Sequence, residues 1–209
     1  MLSSKTIDNF LSEVSSSNAA PGGGTAAAYS AAMAAALGVM SCNLTVTNKK
    51  YTLVKDEISG IKNNLENLIN HFKLSAEKDA EAFEKVIAAF KLPDETDEDK
   101  TTRERKIDES LKEAIEVPLG LMKNCREVLD NLEKLESDAN QNTLSDVGTA
   151  AAVTLAAAQG MYYVILQNYN YAKDKSGLND YIGEAEQFAK EILNKSNYIN
   201  DKILRKLNP

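Results

Sequence analysis

A chain of 209 residues suffices for one domain with a substantial core, and 43% hydrophobic with 26% charged residues excludes wholesale disorder. The formal net charge is −7, so nucleic acid and anionic lipid, both bound mainly by neutralising phosphates with Lys and Arg, are excluded as natural partners. No basic run offsets this balance.

Two cysteines, Cys42 and Cys125, match neither zinc nor CxxC spacing and read as reduced core thiols. Residues 1–10 carry Lys5 and Asp8 and lack the apolar run of a signal peptide, which predicts a cytoplasmic protein. Uncharged stretches run between Glu13 and Lys49 and between Asp146 and Lys173. Both consist largely of Ala, Gly, Ser and Thr, which gain little in lipid and predict buried core helices rather than membrane spans.

In chain order the pattern is helix after helix, without sustained strand-type alternation. Residues 6–15 form a first helix with Ile7, Phe10, Leu11 and Val14 on one face. Pro21-Gly22-Gly23-Gly24 is expected to be non-helical, with Thr25 capping a small-residue helix to about Thr45. From Leu53 to Phe90, Ile58, Ile61, Leu65, Leu68 and Phe72 alternate steps of three and four, a coiled-coil-like seam. Leu92-Pro93-Asp94 ends it.

Thr96 is the expected N-cap of the next helix, with Asp97, Glu98 and Asp99 favoured in its first turn. Pro118 lacks a backbone donor and is expected to kink or end that helix, whose apolar face continues through Leu135. A polar loop at 137–144 precedes a second Ala-rich helix at 145–173, and a last helix runs from about Asp180 to Leu207. Pro209 closes the chain. The expected architecture is all-α: one domain over 1–209, an up-and-down-like bundle of six or seven helices. Two Ala-rich helices imply close backbone contacts and little apolar area per residue, so a homodimer is expected.

Four places could carry chemistry. Gly22, Gly23 and Gly24 before a helix can reach positive φ, admit a ligand close to the backbone, or offer free N–H groups to an anion; a tight packing turn explains them equally well. The motif lacks the lysine of a P-loop. Asp79 falls inside the apolar seam, seven residues after Phe72 and four before Phe83. There burial would raise its pKa, as a general acid requires; pairing with Lys78 or another lysine at the stripe edge is the alternative. Glu77 and Glu81 lie off the stripe and read as solvated.

The third place is 140–148, with Asn142, Ser145, Asp146 and Gly148, where Ser145 as N-cap and Asp146 in the first turn already account for two residues. The fourth is Asn168 near Tyr162, Tyr163 and Tyr169, aromatics that at this spacing usually belong to a core. His71 is the one histidine, which excludes a His-rich metal site and argues against a Ser–His–Asp triad; it reads as a helix-surface residue. No metal site is expected.

Taken together and in order, several segments resemble the formiminotransferase-cyclodeaminase/methenyltetrahydrofolate cyclohydrolase family. They are Phe10-Leu11, Ala20 through Ala27, Asp79-Ala80-Glu81-Ala82-Phe83, Leu92-Pro93, Arg103, Val117-Pro118-Leu119, Asn142, Ser145-Asp146 and Asn168 through Asp174. The resemblance implies an all-helical dimer that holds the pterin of a tetrahydrofolate substrate in a cleft, with no other cofactor. It implies Asp79 as the catalytic carboxyl, with Glu77 a lesser alternative. Ser145, Asp146 and Asn168 would orient the pterin, Asn142 belongs to the same substrate-binding set, and Gly22 to Gly24 would shape the pocket or receive a carboxylate.

Two positions depart from the family pattern. Asp94 stands where many members have Lys, and Val164 where Asn is expected. The resemblance favours, by a small margin, a formimidoyltetrahydrofolate cyclodeaminase that closes the one-carbon bridge with loss of ammonia. The alternatives are methenyltetrahydrofolate cyclohydrolase in the same site and a non-catalytic folate-binding or helical assembly module.

Overall fold

The computed structural model describes residues 2–208; Pro209 lies outside them. Six α-helices run in chain order: α1 (Ile7–Val14), α2 (Gly23–Val46), α3 (Lys55–Phe90), α4 (Asp97–Asp138), α5 (Leu144–Tyr171) and α6 (Asn179–Leu207). No strand occurs among the described residues.

Short connections between successive long helices force antiparallel neighbours. Helices α2, α3, α4 and α5 form the central bundle, and α6 packs against α4 and α5. The seam of α3 faces inward as its spacing predicts, with Ile58, Leu65 and Phe72 fully buried. They meet Leu111, Ile115, Met122, Leu129 and Leu132 of α4 and Met161 and Ile165 of α5 in one core. Small residues allow close approach: a methyl at Gly38 would lie 2.8 Å from Leu65 Cδ1, and one at Gly160 would lie 3.3 Å from Ala27 Cβ. Glu136, buried in α4, is held by Lys206 of α6 at 2.7 Å and Lys202 at 3.6 Å.

Several local expectations are corrected. Gly23 and Gly24 are helical, forming the first turn of α2, and no glycine has positive φ among the described residues. Thr25 does not cap α2; the N-cap is Gly22, and the Thr25 hydroxyl is used elsewhere. Ser145 lies inside the first turn of α5 and caps nothing. Helix α4 continues through Pro118 to Asp138. Thr96 does cap α4, in a reciprocal box with Asp99. Of the α1 face, Phe10 alone finds an aromatic partner, edge-on to Tyr29 at 5.1 Å, while Ile7 and Leu11 are exposed.

Helix lengths place the cleft. At about 1.5 Å per residue α3 and α4 are far longer than α2 and α5. They overhang the bundle beyond the start of α2 and the end of α5. By length and composition α2 and the 141–171 segment could each cross a bilayer; 56% of the apolar window of α2 is buried in the fold, but only 39% of that in α5. One face of each is core, and α5 leaves the larger share uncovered.

Candidate active site

At the base of the overhang lies a cleft of about 230 Å³ where four helices meet. The start of α2 contributes Gly22, Gly23 and Gly24, α3 contributes Asp79 and Phe83, α4 contributes Ala114, and α5 contributes Val164, Gln167, Asn168 and Tyr171.

Asp79 occupies the seam between Ala76 and Ala82, which are buried. Its place on an apolar stripe brings it against the start of α2. The Thr25 hydroxyl donates to Asp79 Oδ2 at 2.9 Å. A methyl on Gly24 would lie 2.7 Å from Asp79 Cγ and closer still to Oδ1, so residue 24 must lack a side chain for the carboxyl to sit there. The glycine serves close approach, and its freedom in φ is not used. Burial raises the Asp79 carboxyl above its ordinary 3.8, and donation from the hydroxyl and backbone N–H of Thr25 offsets part of that rise. Among the described residues, no hydrogen bond other than that from the Thr25 side chain engages the Asp79 carboxylate oxygens directly from a side chain. Asp79 is also the one charged side chain among those lining the cleft.

Asn168 is 5% exposed and donates from Nδ2 to the Ala114 carbonyl at 2.9 Å. Gln167 donates to the Tyr171 hydroxyl one turn along α5 at 3.2 Å, and Tyr171 stands edge-on to Phe90 with ring centroids 6.3 Å apart. Val164 lines the wall, so the departure from the family pattern falls within the cleft. Asp94 does not line it; it pairs with Arg103 at 3.1 Å, and Arg103 also donates to the Phe90 carbonyl at the end of α3.

The structure thus brings Gly22, Gly23, Gly24, Asp79 and Asn168 together. It places Asn142, Ser145 and Asp146 at the other end of α5, about 34 Å from Asn168 along the helix. Within a single chain that separation keeps these three away from a small molecule seated against Asp79. Asn142 is exposed, its backbone N–H donating to Asn140 Oδ1 at 3.1 Å; Ser145 is exposed and Asp146 half-buried. Glu77 is outside the cleft, accepting from the Ser3 backbone at 3.3 Å. His71 is exposed, and both cysteines are free and buried, with the Cys42 thiol pushed by burial up to about 12. No cluster of three metal-ligating side chains occurs among the described residues.

The sequence reading missed Thr25 as a partner of Asp79, and it missed Gln167 and Tyr171. Val164, Gln167, Asn168 and Tyr171 fall at helix spacings of three and four, so extending the face from Asn168 would have found them. No local signal points from Thr25 to a residue 54 positions away.

Residues 6–187 match the model of the formiminotransferase-cyclodeaminase family. The chain belongs to that family. A methenyltetrahydrofolate cyclohydrolase of Methylorubrum extorquens is 40% identical over 97% of this chain and 96% of its own length. The formimidoyltransferase-cyclodeaminase of Sus scrofa is 32% identical over 81% of this chain, which spans 31% of that longer protein. Among solved structures, a formiminotetrahydrofolate cyclodeaminase of Thermotoga maritima superposes with a TM-score of 0.89 at 26% identity, over 99% of this chain and 100% of its own. The family's proteins are folate one-carbon enzymes, and this chain is one of them.

Proposed function

We propose that this family member hydrolyses the cationic one-carbon bridge of methenyltetrahydrofolate, with Asp79 as the general base. The observation that carries the reading is the setting of Asp79: a half-buried carboxyl, uncrowded at Gly24, that accepts from Thr25. Donation into a carboxyl oxygen favours its ionised form, and the ionised form attracts a bridge that carries positive charge. Full-length likeness to the Methylorubrum cyclohydrolase also supports this reading over the cyclodeaminase that the sequence favoured by a small margin.

In the proposed reaction water attacks the bridge carbon and Asp79 takes its proton. The carbinolamine then opens by breaking one carbon–nitrogen bond. Asp79 returns its proton to the departing nitrogen, and the carbinolamine hydroxyl loses its own proton to solvent as the C=O forms. A formyl group remains on the other nitrogen, with one proton released per turnover. A base of this kind contributes roughly 100- to 10,000-fold. The cleft is small beside ligand sites of about 300–1,000 Å³. It suits a bicyclic pterin with the benzoylglutamate tail left outside, and the tetrahydrofolate derivative is the substrate, with no further cofactor in the proposed reaction.

Formimidoyltetrahydrofolate cyclodeaminase is the second reading. Burial raises the Asp79 pKa, the direction an acid protonating ammonia needs, and the Thermotoga likeness favours it too. Purified protein given methenyltetrahydrofolate should hydrolyse it well above the spontaneous rate. Given the formimino derivative it should release no ammonia above background. Ammonia release with comparable kcat/KM reverses the assignment, and binding without either turnover leaves a folate-binding module. The pH profile separates the roles as well: a base loses kcat/KM as pH falls through a pKa above 3.8, an acid as pH rises through it.

We place the enzyme as a homodimer. Met33, Met40 and Leu44 on α2 and Ile7 and Leu11 on α1 are exposed apolar side chains that self-association would cover. A second copy is also what would bring Asn142, Ser145 and Asp146 near a cleft. Sedimentation showing a monomer at micromolar concentration counts against both.

A further inference from the structure

Helix α4 passes through Pro118 without ending, and proline has no backbone N–H. In an α-helix residue 118 would donate to the carbonyl of residue 114. The Ala114 carbonyl therefore lacks its helical donor where α4 borders the cleft. Asn168 of α5 supplies the replacement through Nδ2 at 2.9 Å. A carbonyl can only accept, so the amino half of the carboxamide has to face α4, and its carbonyl half has to face elsewhere. Among the described residues no hydrogen bond uses Asn168 Oδ1, and the side chain lines the cleft beside Gln167.

We propose that Pro118 is a positioning residue: by withholding a donor from Ala114 it locks the Asn168 carboxamide with Oδ1 presented to the cleft as a hydrogen-bond acceptor. The group this selects is an N–H donor on the ligand. In the folate reading, on which this inference rests, it is an amino or ring N–H of the reduced pterin. Without Pro118, a backbone N–H would compete for Ala114, and the carboxamide could turn its NH₂ toward the ligand and mismatch a donor there.

The test uses the full chain and Pro118→Ala, with Pro118→Val, closer in volume, as the second variant should the first not fold. In ¹⁵N-labelled protein the Asn168 side-chain amide protons are assigned by their loss in Asn168→Asp. They should exchange at least about tenfold faster in Pro118→Ala than in the parent, because the competing backbone donor releases them. In parallel, Pro118→Ala should raise KM for methenyltetrahydrofolate about tenfold, one hydrogen bond's worth, with the loss falling on KM more than on kcat. Asn168→Ala should raise it similarly, and adding Pro118→Ala to that variant should change nothing further.

Unchanged amide exchange overturns the proposal whatever the activity. Additive effects on KM overturn it too, since Pro118 would then act by packing alone. A parent that turns over no folate sinks the functional reading instead, and the exchange measurement still decides the positioning device.

Discussion

The two Ala-rich helices α2 and α5 lie side by side, and each end of the pair carries a polar cluster. At the end of α2 and the start of α5 the polar groups satisfy one another. Ser41 and Thr143 hydroxyls meet at 2.6 Å, the Asn140 backbone donates to Thr45 Oγ1 at 2.9 Å, and Thr45 donates to the Ser41 carbonyl at 2.7 Å. At the opposite end Asp79 and Asn168 each spend part of their hydrogen-bonding capacity on the protein, on Thr25 and Ala114, and keep acceptor capacity in reserve. A closed polar cluster holds helices together, whereas one with spare acceptors facing a cleft is built for a ligand. Substitutions at the two ends should therefore separate activity from stability.

The largest effect expected is from Asp79→Asn. If Asp79 is the base we propose, its loss should lower kcat about 100- to 10,000-fold with folate affinity retained. Steady-state kinetics beside a binding titration checks both, and a variant that keeps parental turnover removes the cleft from the mechanism. Gly24→Ala comes next. The new methyl would meet the Asp79 carboxyl inside contact distance, and the carboxyl must swing away. A misplacement of about 1 Å costs on the order of 100-fold. Because a short side chain can yield, the thermal midpoint should fall much less than activity does.

How much of this contrast was legible beforehand follows from how local each signal is. Helix number, the α3 seam and the Thr96 cap depend on residues within a turn or two of each other, and periodicity exposes them. Asp79 was visible as a carboxyl on an apolar stripe for the same reason. Thr25 was read as a cap because a threonine after glycines is a local cue, yet its hydroxyl serves α3 instead. Asn142, Ser145 and Asp146 were grouped with Asn168 by resemblance. A single helix between them sets them about 34 Å apart, a distance the sequence states plainly once its helix is drawn at full length. Pro118 was expected to interrupt α4, since local chemistry shows the missing donor and not the side chain on another helix that fills in.

At the closed end, Thr143→Val should leave kcat/KM within about twofold and cost roughly 1–3 kcal/mol, because it strands the buried Ser41 hydroxyl. For a chain of this size that is a midpoint lower by about 2–12 °C in a thermal melt. Activity falling as steeply as stability would mean that the buried Ser41–Thr143 pair, and not only the surface residues Asn142, Ser145 and Asp146 beside it, serves a partner copy's cleft, and that the two ends are not separable.

The smallest effect expected is on the pH dependence of stability. Burial raises the Asp79 pKa in the folded chain above its unfolded value, and Thr25 only partly offsets it. The folded state then binds the proton more tightly than the unfolded one, so this group's contribution to stability falls as pH rises from the unfolded value through the folded one. Below both values Asp79 is protonated in either state and contributes no such penalty; above both, the penalty is complete. Asp79→Asn removes the ionisation, so at neutral pH the variant should be more stable than the parent, by something of the order of 1 kcal/mol, a gain typical of relieving a functional site. Measured as a difference between the two proteins, the gap is free of the carboxylates that lysines hold low at the surface, such as Glu104 beside Lys173. It should shrink as pH falls through the folded pKa. Thr25→Val should widen that window upward, because it takes away a donor that favours the ionised form. A gap that is flat with pH would mean that the carboxyl gains as much from Thr25 as burial takes away, leaving no raised pKa for either the base or the acid role to use.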